Sequence, residues 1–151
     1  MGIEKDIQQT NFRNEYQKLG INIMYTANWL NEKIAGILSQ EDITQQQYNI
    51  LRILRGADKP LSTLQIRARM LDKMSDTSRI VDRLVAKELV EKNICPTDKR
   101  LVDVVLSKKG FVILEKLDQL NHHLDALMKG ISEKDAITMN QLLDQLREVS
   151  K

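Results

Sequence analysis

Met74–Gly110 reads MSDTSRIVDRLVAKELVEKNICPTDKRLVDVVLSKKG, and three patterns follow one another along it. Ile80, Val81, Leu84, Val85 and Leu89 recur at helical spacing and give a buried side. Asp76, Arg79 and Arg83 share the opposite face, with Thr77 beside them at the N-terminal end. Leu89–Ile94 is β-prone, Pro96-Thr97-Asp98-Lys99 makes a turn, and Leu101–Leu106 alternates. On that second strand Val102, Val104 and Leu106 fall on one face and Leu101, Asp103 and Val105 on the other. Ser107 then caps a further helix. Helix, hairpin and helix in this order describe a recognition element followed by a β-wing.

Upstream, Ser62 caps a helix over about 62–71, with Leu64, Ala68 and Leu71 expected to face inward and Arg67 and Arg69 elsewhere. A short Asp72-Lys73-Met74 link and a new helix at Ser75 complete a helix–turn–helix. On the polar face of that second helix, Arg offers two parallel donors for guanine O6 and N7, while Thr and Asp can approach neighbouring base edges. At the wing tip, Lys99 and Arg100 are placed to meet phosphates or a narrow minor groove. Asp98 beside them suits a carboxylate that orients the Arg100 guanidinium.

The flanks are helical. Phe12, Tyr16, Leu19, Ile23, Ala27, Leu30, Ile34 and Ile37/Leu38 mark one apolar face of a long helix over about 10–38. Tyr25, Met24 and Trp29 widen that surface beyond what one small domain covers, which points to a partner subunit. Asp42–Thr44 offers N-caps for a shorter helix, QYNILRIL (Gln47–Leu54), built around Tyr48, Leu51 and Leu54, and Gly56–Pro60 breaks it. After the wing, Phe111, Leu114, Leu117, Leu120, Leu124 and Leu127/Met128 form one stripe that Gly130 terminates. Ser132, with Asp135 at the capping-box position, opens a last helix whose apolar face is Met139, Leu142, Leu143, Leu146 and Val149.

Composition limits the function. With 151 residues, 29% of them charged and 42% hydrophobic, the chain suits a globular domain with a real core. A lone cysteine, Cys95, excludes an internal disulfide framework and suits a reducing cytoplasm. The N-terminus lacks the apolar core of a signal peptide, and no run of about 18 apolar residues occurs, so no membrane span is expected. The net charge of +2 says little, but its distribution is uneven. Asp58–Lys109 holds 12 Lys and Arg against 8 Asp and Glu, while the rest of the chain carries 11 against 13. The basic excess sits on the segment expected to meet phosphates.

Catalytic chemistry finds little support. His122 and His123 are adjacent on a helix and so diverge by about 100°, with no Cys or carboxylate at ligand spacing. No glycine-rich phosphate loop and no Gly-x-Ser-x-Gly elbow occurs. No metal, cofactor or enzymatic activity is expected. Cys95 lies near Lys92, Lys99 and Arg100, and nearby cations can lower a thiol pKa. A redox-responsive wing and an inert strand cysteine are both compatible with that setting.

ITQQQYNILRIL (43–54), SRIVDRLVAKELVEK (78–92) and the wing sequence DKRLVDVVLSKKG (98–110) together resemble the MarR family of bacterial transcriptional regulators, over essentially the whole chain. The resemblance implies a mainly α fold with about six helices and a two- or three-stranded wing. It implies a single domain over 1–151, with dimerisation helices at 10–40 and 111–151 around a winged helix–turn–helix at 42–110. Implied partners are a second copy of the chain and a near-palindromic double-stranded DNA operator. The implied DNA-contacting residues are Ser75, Asp76, Thr77, Arg79, Arg83, Lys99 and Arg100, with Asp98 supporting the wing. Regulation by a small aromatic or phenolic effector, most often releasing a repressor, is also implied. Tyr16, Trp29 and Tyr48 are candidate lining residues, with core packing the alternative for each. Two positions depart from the family pattern: Glu88 stands where Gly is usual, and Lys92 where Arg is usual. A winged-helix adaptor that binds protein rather than DNA is the rival class.

Overall fold

Asn14 decides where the long N-terminal helix begins. Its side chain accepts a hydrogen bond from the Gln17 amide at 2.9 Å, so helix α2 runs Glu15–Leu38, starting five residues later than its apolar pattern suggests. Before it, a short helix α1 (Ile3–Asp6) buries Ile3, and Glu4 is ion-paired to Lys18 of α2. The computed structural model describes residues 2–94, 96–98 and 102–149. Cys95, Lys99, Arg100 and Leu101 lie outside that set, and with them the wing cysteine and the expected wing-tip cations.

The remaining elements are α3 (Gln45–Gly56), β1 (Leu61–Ser62), α4 (Thr63–Arg69), α5 (Thr77–Ala86), β2 (Val90–Ile94), β3 (Val102–Leu106), α6 (Lys108–Asp118), α7 (Asn121–Met128) and α8 (Glu133–Glu148). The fold is mainly helical with a three-stranded antiparallel sheet ordered β1-β3-β2. Lys92 pairs with Val104 and Ile94 with Val102 across the hairpin, and Leu61 of β1 pairs with Val104 on its other side. Residues up to Asp118 form one compact unit, and those from Gln119 onward form a second.

The core of the first unit is built from Ile50 and Leu51 of α3, Ile66 of α4, Val81 and Leu84 of α5, Val90, Val104, and Leu114 and Leu117 of α6, all essentially buried. Sequence periodicity assigns the inner face of α3 correctly, and that of α5 at Ile80, Val81, Leu84 and Leu89 but not at Val85, which is 37% exposed. It misassigns α4: Leu64 and Leu71 are 75% and 81% exposed, and Ile66 and Met70 are buried instead. The Ser62 side chain accepts from the Gln65 amide and fixes the phase of the helix, and that phase turns the Ile66/Met70 pair inward.

The stripe from Phe111 to Met128 predicts one helix, and the structure has two. α6 stops at Asp118, and α7 starts at Asn121 with no side-chain cap. Neither Gly nor Pro marks that interruption, so the sequence carries no breaker there. In the second unit, Ser132 opens α8 as expected, with its Oγ accepting from the Asp135 amide at 3.1 Å and donating to the Asp135 carboxylate.

Glu88 ends α5 without a glycine. It takes the left-handed conformation at φ 62°, its amide donates to the Val85 carbonyl at 2.9 Å, and the Leu89 amide donates to Leu84 at 3.0 Å. These two bonds form a Schellman terminus, so the helix ends where a glycine would have ended it. The chain then enters β2 directly.

Candidate nucleic-acid interface

Two caps set the helix–turn–helix. Ser62 and Gln65 form a reciprocal capping box on α4, and the Asp76 carboxylate accepts from the Arg79 amide at 3.2 Å to cap α5. Between the helices, Met70 is buried and anchors the turn. Asp72 shapes the rest: its carboxylate accepts from the Met74 amide at 2.9 Å, and its carbonyl accepts from the Ser75 hydroxyl at 2.8 Å. Each bond satisfies a backbone or hydroxyl group that would otherwise compete with the helix start.

Against that geometry the expected reading face divides. Arg79 and Arg83 are exposed on α5, and neither guanidinium is paired with a described residue. Asp76 is exposed but committed to its cap. Ser75 and Thr77 are buried, at 8% and 3% exposure, contrary to their expected place on the outer face. Thr77 follows the cap directly, and its position turns it toward the core beside Ile80 and Val81. Its hydroxyl has no hydrogen-bond partner among the described residues. Ser78, absent from the face expected from sequence, is exposed between Thr77 and Arg79. The signal for it is the N-cap itself: once Asp76 is the cap, Ser78 falls on the same exposed arc as Arg79.

Further cations join this surface from outside the expected set. Arg67 and Arg69 are exposed in the last turn of α4, and Lys73 donates its ammonium to the Ala68 carbonyl at the end of that helix. An open groove of about 510 Å³ runs between these elements, lined by Thr63, Leu64, Arg67 and Met74–Ser78. Four basic side chains, Arg67, Arg69, Arg79 and Arg83, thus lie on the α4 and α5 surfaces without ion-pair partners among the described residues. Such a surface suits a polyanion.

The wing is tied to α5 from beneath. Lys92 of β2 is ion-paired with Asp82 on α5, which fixes the strand against the helix. The Ser107 hydroxyl donates to the Glu88 carbonyl at 2.6 Å and accepts from the Gly110 amide at 3.0 Å, joining the exit of α5 to the start of α6. Asp98 is half-buried and engaged.

The candidate effector residues do not share one environment. Tyr16 is 84% exposed, Trp29 38%, and Tyr48 is buried beneath the Arg52 guanidinium, 5.5 Å from its ring centroid. Tyr48 is therefore a core residue. His122 and His123 are exposed with ring centroids 3.9 Å apart, closer than their expected divergence implies. Among the described residues, no three His, Cys, Asp or Glu side chains gather to hold a metal ion.

The architecture is that of a winged helix–turn–helix protein. Residues 41–101, most of that element, match the model of the MarR family. The multiple antibiotic resistance protein MarR of Escherichia coli is 29% identical over 137 residues, covering 88% of this chain and 93% of that protein. Among solved structures, a cysteine-to-serine mutant of E. coli MarR complexed with operator DNA aligns with a TM-score of 0.80 at 28% identity, covering 91% of this chain and 99% of that one. The S. aureus MepR–DNA complex aligns at 0.78 with 19% identity over 92% and 99%, a likeness of fold. Over most of its length the chain is thus similar to MarR-family transcriptional regulators.

Proposed function

We propose that this protein is a sequence-specific regulator that binds double-stranded DNA as a homodimer. The observation that carries it is the pair of exposed guanidiniums, Arg79 and Arg83, without ion-pair partners among the described residues. They stand on a helix whose opposite side is locked into the core by Ile80, Val81 and Leu84. A rigid helix offering two planar cations meets the requirements of major-groove readout. The similar MarR structure was solved on operator DNA, which supports the same use here. Lys99 and Arg100 of the wing sequence DKR supply the phosphate or minor-groove contact, with Asp98 as support. Ser75 and Thr77 act from within, by shaping the turn and the helix start.

Dimerisation through 10–40 and 111–151 is supported by apolar surface left open on the chain. Tyr16, Leu19, Met24 and Tyr25 of α2, and Leu142, Leu146 and Val149 at the C-terminal end, are all at least 42% exposed. Two α5 helices then enter successive major grooves about 34–36 Å apart, which calls for a near-palindromic operator. The protein acts in the cytoplasm as a repressor rather than an enzyme, and a small molecule releases it from DNA. No helix among the described residues is long and apolar enough to cross a membrane.

Selection of bound fragments from a random duplex library, repeated at two salt concentrations, tests this reading. A recovered near-palindrome and binding that weakens with salt are expected. Absence of retention on any duplex would overturn it in favour of a protein-binding adaptor.

A further inference from the structure

The open groove between α4 and the start of α5 carries a feature that phosphate binding does not use. Two large apolar side chains, Leu64 of α4 and Met74 of the turn, line it from separate segments, and they are 75% and 91% exposed. Leu64 faces out because the Ser62–Gln65 capping box sets the helix so that Ile66 and Met70 take the core. At the turn, the Met74 amide is bound to the Asp72 carboxylate at 2.9 Å, and Ser75 rather than Met74 turns inward. A single exposed apolar residue is ordinary on a protein surface. Two that converge from different segments on a groove of about 510 Å³ form a surface still to be covered.

The charge around the groove indicates what covers it. Arg67 lines the same groove, and Arg79 and Arg83 stand exposed on the helix that begins at its edge, none with an ion-pair partner among the described residues. A purely apolar partner would bury those guanidiniums unpaired, whereas a duplex pairs them with phosphates. Ser75 and Thr77 are buried, so at this end of the groove Leu64 and Met74 project beyond them. A phosphate placed here would meet the Asp76 carboxylate, and a neutral base edge is the better neighbour. The apolar group that base edges offer in the major groove is the C5 methyl of thymine.

We propose that Leu64 and Met74 form a slot for the C5 methyl of a thymine in each half-site, a reading separate from that of the α5 arginines. The N-terminal end of a recognition helix is the end that reaches base edges, and Met74 lies two residues before the Asp76 cap of α5. An unbranched thioether adapts its shape to such a group. The assignment rests on the regulator reading above. It adds to that reading two residues from outside the recognition helix, one from the helix before it and one from the turn.

Fluorescence anisotropy on the duplex recovered by selection tests the slot. Each thymine is replaced in turn by uracil, symmetrically in both half-sites, which removes the methyl and keeps every hydrogen-bonding group. For the parent, one symmetric position is expected to lose about fourfold in affinity per half-site, or about fifteenfold for the pair. Leu64→Ala and Met74→Ala should bind the thymine duplex about as weakly as the parent binds the uracil one, and should no longer distinguish the two. Met74→Leu restores an apolar side chain and should keep the distinction. Leu71→Ala, at a residue just as exposed but absent from the groove lining, should behave as the parent does. Thermal unfolding verifies that each variant is folded. A parent that changes by less than about twofold at every uracil position overturns the proposal, as does an undiminished thymine preference in both alanine variants. Binding to no duplex at all would overturn the regulator reading with it, an outcome distinct from binding that ignores the methyl.

Discussion

The backbone of Gly110 passes so close to the carbonyl of Leu89 that a Cβ at residue 110 would lie 2.3 Å from that oxygen. The contact is between the first turn of α6 and the start of β2, so no side-chain rotation relieves it. Ser107 closes the same junction from the other side, with its amide donating to the Leu89 carbonyl at 3.1 Å. Gly110→Ala is therefore expected to lower stability by about 2–4 kcal/mol, in the range of overpacking plus a displaced hydrogen bond. Chemical denaturation measures it. A change under about 0.5 kcal/mol would show that α6 can slide away from β2 at little cost.

Glu88 lies one residue before that junction, and its left-handed backbone carries a penalty that glycine does not. Its carboxylate is 3.9 Å from the Lys109 ammonium, and both groups are well exposed, so little is lost with the side chain. Glu88→Gly is expected to raise stability by about 0.5–1 kcal/mol, and DNA affinity should remain as in the parent. Unfolding midpoints of the two proteins decide it; destabilisation would mean the Lys109 ion pair outweighs the backbone strain.

How legible these positions are from sequence differs in an instructive way. The Ser-Lys-Lys-Gly run is readable as a wing exit, because turn, strand and cap signals agree there. The break at Gln119–Leu120 is not, because the apolar stripe continues through it and no Gly or Pro interrupts. In α4 the leucines suggest the wrong face, since a seven-residue helix gives too few repeats to fix its phase. In α5 Arg79 and Arg83 are legible from their spacing, while Ser75, Thr77 and Ser78 depend on which residue caps the helix. The groove that joins Leu64 to Met74 has no sequence signature, because its lining comes from two separate segments.

Arg55 and Asp118 form a two-bond pair, at 2.6 and 2.9 Å, between α3 and the last residue of α6. The hydrogen bond from Arg55 holds the Asp118 carboxyl below its ordinary value of 3.8. A depressed carboxylate stabilises the fold above its unfolded value, and that contribution is lost as pH falls through the folded one. The window therefore opens near pH 4 and extends downward. Both side chains are about a third open to solvent, which limits the contribution to under about 1 kcal/mol. Asp118→Asn is expected to flatten the acid limb of a plot of melting temperature against pH between about 5 and 2. An unchanged limb would assign acid sensitivity to other carboxylates.

Base readout and phosphate binding should separate by their response to salt. Arg79→Ala is expected to cost about 1–3 kcal/mol on the selected operator and to relax base preference at one position per half-site. Arg100→Ala should weaken binding to most duplexes and reduce the slope of log affinity against log salt by about one for each phosphate no longer neutralised. Fluorescence anisotropy at several salt concentrations reads both. Identical slopes for the parent and Arg100→Ala would remove the wing tip from the interface.

Thr77 gives a test that distinguishes a base reader from a buried residue. Its side chain is 3% exposed and its hydroxyl has no partner among the described residues, although it adjoins the groove and the exposed arginines. An unsatisfied buried hydroxyl costs about 1–3 kcal/mol, and valine has nearly the same shape without that group. Valine also keeps the β-branch, so the first turn of α5 is not asked to accept a new rotamer. Thr77→Val is thus expected to stabilise the fold by about 0.5–2 kcal/mol and leave operator affinity within about twofold. A direct base contact would instead show as a fall in operator affinity beyond that range. Because Asp76 keeps its cap in the variant, a loss of binding could not be ascribed to fraying of the helix start.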